Sequence, residues 1–130
     1  MLYQRFLFAL LLLLSACAGS AAPTGDAERG RQLFNGEQSF TSANAPVCAN
    51  CHFVRAEDGV MLGPNLAGVA SAAGTRVVGQ SAEQYLRTTL LDPDAYLVEG
   101  FQEGIMYRGY EEALTQQEVS DLIAYLLTLQ

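Results

Sequence analysis

Lysine is absent from this 130-residue chain, histidine occurs once and cysteine three times. Seven arginines face fourteen acidic side chains, for a formal charge of −7. So sparse a supply of cations argues against nucleic acid or anionic lipid as partners, and for a basic or neutral docking surface. No apolar run reaches the length of about 20 residues that a permanent membrane span needs. Neither an internal repeat nor a strand-like alternation of apolar and polar residues is present. The chain therefore reads as one mainly α-helical domain.

The apolar run that does exist, Phe6–Leu14, follows the single basic residue Arg5. It reads as the core of a secretory signal. A buried helix is the poorer alternative, because Leu10–Leu14 would be apolar on every face. Leu14-Ser15-Ala16-Cys17 resembles a bacterial lipobox, in which the cysteine is acylated and becomes the new N-terminus. Ordinary cleavage after Ala16 or Ala18, giving a freely soluble periplasmic protein, is the alternative. Cysteine parity favours lipidation, since Cys17 has no partner if the other two are used together. The expected organisation is a signal peptide over 1–16, a lipidated flexible spacer over 17–25 and a domain over 26–130. Such a chain is exported and held at the extracytoplasmic face of a membrane. Losing Arg5 with the signal takes the formal charge from −7 to −8.

Along the domain, Asp26–Asn35 places acids in a first turn and Ala27, Gly30, Leu33 and Phe34 along one side, which predicts a short helix. Gly30 inside it weakens the helix and is worth retaining where another helix approaches closely. Gly36–Pro46 reads as a polar loop, and Gly59–Gly79 as mostly loop. Ser81 with Gln84 forms a capping box opening a helix that Asp92-Pro93 stops. Asp94–Glu99 is too short to classify, and Gly100–Gly109 is loop-like. The last helix is the clearest. Thr115 and Glu118 cap it, Leu114 staples to Val119, and Leu122, Ile123, Leu126 and Leu127 follow at helical spacing.

Cys48-Ala49-Asn50-Cys51-His52 gathers the only histidine and two of the cysteines into five residues. Structural zinc wants four nitrogen or sulfur ligands, and adjacent Cys51 and His52 sit awkwardly on one tetrahedral ion. A thioredoxin-like dithiol needs a βαβ context that is missing. A Cys48–Cys51 disulfide would be cramped, though redox enzymes have them. Haem c attachment fits without strain. Each thiol adds to a porphyrin vinyl group, and the histidine reaches the iron from one face.

With these residues, the chain resembles the class I cytochrome c family over about Asp26–Gln130. Gly63-Pro64-Asn65-Leu66 is similar to the family's loop on the histidine side. That implies a hydrogen bond from the second ring nitrogen of His52 to the Pro64 carbonyl, fixing the tautomer. Leu90–Met106 resembles the segment before the family's methionine ligand, and Gly30, Phe34 and Tyr125 resemble its contact between terminal helices. The implied fold is all-α, with N- and C-terminal helices crossing and one covalent haem c wrapped by loops and short helices.

Two methionines, Met61 and Met106, lie beyond the leader. Met61 stands three residues before Pro64, and one loop cannot easily serve both haem faces. Met106 is therefore the expected sixth ligand, with Met61 or an open position as alternatives. The family commonly has proline after this methionine. Tyr107 stands there instead, implying a less rigid loop and a weaker iron–sulfur bond. Arg55 and Arg76 are candidates to meet a haem propionate, each with a solvated surface charge as the alternative.

Two axial ligands leave iron no vacant position, so outer-sphere transfer of one electron is expected rather than enzymatic chemistry. The expected role is a tethered carrier between a redox protein donor and acceptor. The alternatives are an immobile cytochrome subunit of a larger oxidoreductase complex and, more weakly, a small-ligand sensor or peroxidatic haem.

Overall fold

The computed structural model describes residues 24–130, so the signal segment and Cys17 lie outside the described residues. Among those described, the helices are α1 (Ala27–Asn35), α2 (Val69–Arg76), α3 (Ala82–Leu91), α4 (Tyr110–Ala113) and α5 (Gln116–Leu126), with 3-10 turns at Cys48–Asn50 and Ala56–Asp58 and no strand. The fold is all-α, as expected.

α1 begins at Asp26, whose carboxylate accepts from the Glu28 and Arg29 amides. It ends at Gly36, whose φ of 73° is the left-handed cap that glycine adopts without a Cβ penalty. α5 opens with the capping box of Thr115 and Glu118. Its stripe of Val119, Leu122, Ile123 and Tyr125 is buried against Leu33 and Phe34 of α1. The Phe34 and Tyr125 rings meet edge to face with centroids 5.4 Å apart. Gly30 is what lets the two helices come so close, because a Cβ there would run into the Asp121 carbonyl. Gly25 stands equally close to the Ser120 carbonyl, and the Thr24 carbonyl accepts from Gln117 Nε2 at 3.0 Å. Thr24 and Gly25 thus pack against α5 as well.

Two buried carboxylates lock this crossing. Asp121, fully buried, accepts from the Asp26 amide and from Gln117 Nε2, each at 2.8 Å. Arg29 Nη1 lies 3.0 Å from its other oxygen, an ionic contact rather than an aligned hydrogen bond. Glu118, also buried, takes four hydrogen bonds, two from Thr115 and two from Thr41, and so ties the 36–46 loop to the start of α5.

α3 starts at the expected capping box of Ser81 and Gln84. The stretch Gly59–Gly79 departs from expectation, since it contains α2. Small residues hide that helix from a periodicity reading. Only Val69 and Ala73, one turn apart, are buried on it, and they pack toward α3. Between α3 and α4 the chain runs from Asp92 to Gly109 without helix or strand.

Candidate functional site

The Cys48–Asn50 turn is tight. The Cys51 and His52 amides both donate to the Cys48 carbonyl, at 3.0 and 3.1 Å. Both thiols and the imidazole therefore project from little more than one turn of chain. Tyr110 steadies the approach to it, its hydroxyl donating to the Pro46 carbonyl at 2.9 Å.

The chain then folds back on itself. The Gly63 amide donates to the Cys51 carbonyl at 2.9 Å and the Leu66 amide to the Phe53 carbonyl at 2.8 Å. This return brings the Pro64 carbonyl to 2.9 Å from His52 Nδ1. A carbonyl can only accept, so Nδ1 carries the proton and Nε2 keeps its lone pair for a metal. Gly63 packs directly on the imidazole, leaving no room for a Cβ. Asn65 closes the loop, its amide donating to the Arg55 and Gly59 carbonyls while its oxygen accepts from the Ala67 amide. Neither the steric role of Gly63 nor the Asn65 clamp is legible from spacing.

Burial pushes the Cys48 thiol up to about 12. Redox-active and metal-binding cysteines need the opposite, a lowered pKa that favours thiolate. A partly buried thiol held protonated in this way is poorly suited to dithiol exchange. Burial also lowers the pKa of His52, partly offset by its bond to Pro64, so the ring is favoured as a neutral donor.

Cys48, Cys51 and His52 open onto a cavity of about 670 Å³, mostly apolar in lining. That size suits a cofactor. Met106, half-buried, lines the same cavity, whereas Met61 is exposed and does not. Arg55 is also off the cavity, paired with Asp58 at 3.0 Å. Arg76 is on it, with its guanidinium 5.7 Å from the centroid of the Tyr85 ring. Among the described residues, Arg76 is the one arginine without a carboxylate in ion-pair range. Arg108, which no motif in the sequence marks, lines the cavity as well.

The family model described as cytochrome c matches residues 27–130. The chain belongs to the cytochrome c family. Its all-helical architecture fits the class I fold, and the family implies covalently bound haem c, for which Cys48, Cys51 and His52 supply the attachment motif. The residues present fit that group, with two thiols, an imidazole with a free Nε2 and a thioether on one apolar cavity. No curated protein matches the chain.

Proposed function

We propose that this cytochrome c carries a single haem and acts as a one-electron carrier, tethered through a lipid on Cys17 at the extracytoplasmic face of a membrane. The observation that carries this reading is the convergence of Cys48, Cys51, His52 and Met106 on one cavity, with Met61 outside it. Haem, when bound there, supplies the Fe(III)/Fe(II) couple. Cys48 and Cys51 would hold it covalently, and His52 Nε2 and Met106 Sδ would supply the donors to its iron. The neutral thioether and the apolar walls both favour the less charged iron state, which raises the reduction potential. Arg76, on the cavity and without a carboxylate in ion-pair range among the described residues, would meet a propionate. The tether rests on the lipobox-like Leu14–Cys17. The excess of acids points to redox partners with basic or neutral docking surfaces.

Absorption spectra of the matured protein test this, oxidised and reduced, with and without carbon monoxide. An Fe(III)–thioether charge-transfer band is expected in wild type and Met61→Ala but not in Met106→Ala, with no carbon monoxide binding by wild type. Rapid carbon monoxide binding by wild type would exclude a closed six-coordinate carrier and favour ligand sensing.

One observation favours a second reading, an immobile subunit of a larger complex. Val60 and Val78, both off the cavity lining, are apolar and exposed. Haem staining of a native gel of solubilised membranes separates the two. A band at the monomer's mobility supports the carrier, and one confined to a large complex supports the subunit.

A further inference from the structure

The loop carrying Met106 has few anchors of its own. Between Gln102 and Arg108, among the described residues, the polar cross-links run to one side chain, Asp94. Its Oδ1 accepts from the Gly104 amide at 2.9 Å. Its Oδ2 pairs with Arg108 Nη2 at 2.5 Å. The two partners stand symmetrically, Gly104 two residues before Met106 and Arg108 two residues after it.

Asp94 is itself firmly placed. α3 ends with the Asp92 amide donating to the Thr88 carbonyl at 2.7 Å, and the Ala95 amide turns back to the Asp92 carbonyl at 3.1 Å. Pro93 between them is buried and fixes φ. The carboxylate is therefore mounted on the rigid end of a helix, and both sides of the loop are hung from it. Gly104 takes a φ of 75°, and Arg108 Nη2 lies 3.4 Å from where its Cβ would be, so the bend and the ion pair are compacted together. The Gly104 amide first, and then Arg108, hold the Asp94 carboxyl below the usual carboxylate range.

We propose that Asp94 is a positioning residue that clasps the loop on both sides of Met106 and holds its thioether at the axial position. It does the work left undone because Tyr107, rather than proline, follows the methionine. The inference rests on the reading of Met106 as axial ligand. The clasp sets what fraction of the protein has its axial position open, and a competing ligand's apparent affinity scales with that fraction.

Imidazole, titrated into the oxidised holoprotein, reads this fraction directly. Asp94→Ala, which removes both links, is expected to tighten apparent imidazole binding about tenfold, and Asp94→Asn, which keeps an oxygen for the Gly104 amide, about threefold. Arg108→Gln should resemble Asp94→Asn. Arg87→Gln, which breaks an ion pair to Glu83 on α3, should leave the affinity unchanged. Loss of the thioether charge-transfer band in Asp94→Ala at unchanged helix content would support the clasp further. Wild-type affinity and an intact band in Asp94→Asn and Arg108→Gln would overturn it, even if Asp94→Ala failed to fold. Met106→Ala separates the layers. If it binds imidazole no more tightly than wild type, the ligand reading fails. If it binds much more tightly while the Asp94 and Arg108 variants do not, only the clasp fails.

Discussion

At the α1–α5 crossing, backbone meets backbone. Gly30 lies against the Asp121 carbonyl, Phe34 against Tyr125, and the carboxylates that tie the ends together, Asp121 and Glu118, are buried and hydrogen-bonded. Around Met106 the chain is held from outside, by the exposed Arg108 and the partly exposed Asp94. Prising the crossing apart leaves a void or a stranded polar group, so the whole domain resists it. At the loop, water readily solvates a broken ion pair, and the cost is small. The family's chemistry fits this division. The scaffold fixes Cys48 and His52, while Met106, the proposed axial ligand, rides on the part that is easiest to adjust.

The largest break in that contrast is at Gly30. A Cβ there overlaps the Asp121 carbonyl, and neither helix backbone can step aside alone. Overpacking of a core costs about 1–3 kcal/mol, and an obstacle made of backbone puts Gly30→Ala at about 3 kcal/mol or above. Denaturant unfolding should show this as a sharply lower midpoint, with Gly30→Val lower still. A loss under about 1 kcal/mol would mean that the crossing is looser than its geometry.

A smaller break is at Glu118. Burial alone would raise the pKa of its carboxyl, but hydrogen bonds from Thr115 and Thr41 outweigh it and hold the group below the ordinary value of 4.5. A depressed pKa stabilises the fold above the unfolded-state value, and that stability is lost as pH falls through the folded-state value. Glu118→Gln should cost about 1–3 kcal/mol at neutral pH. The two stability curves should converge as pH drops below about 4.5. Parallel curves would place the acid sensitivity elsewhere.

The same division explains what the sequence makes legible. α5 announces itself because its capping box, staple and apolar stripe agree, and its packing needs nothing more than those residues. Cys48, Cys51 and His52 are legible because covalent attachment demands a local spacing. Pro64 and Met106 enter through family resemblance, and the structure puts both at the cavity. α2 escapes notice because Ala and Gly carry almost no periodic signal, although Val69 and Ala73 bury one face. Asp94 escapes for a different reason. Its partners are 10 and 14 residues away, across a segment with no repeating geometry, so only the folded chain brings them together.

The smallest expected effect is at Tyr107, on the Met106 loop. No hydrogen bond is made by the Tyr107 amide among the described residues, and its φ is not positive, so proline sacrifices no bond there. Two effects oppose each other. Proline restricts the open loop, which favours the closed state by about 0.4–1 kcal/mol. Removing the Tyr107 ring also abolishes its edge-to-face packing on Tyr110, whose centroid is 5.0 Å away. Tyr107→Ala removes the ring alone, so the fair comparison is Tyr107→Pro against Tyr107→Ala. Imidazole should bind about two- to fivefold more weakly to the proline variant than to the alanine one. Equal affinities would show that chain stiffness next to Met106 contributes nothing, and that the loop is closed by its cross-links alone.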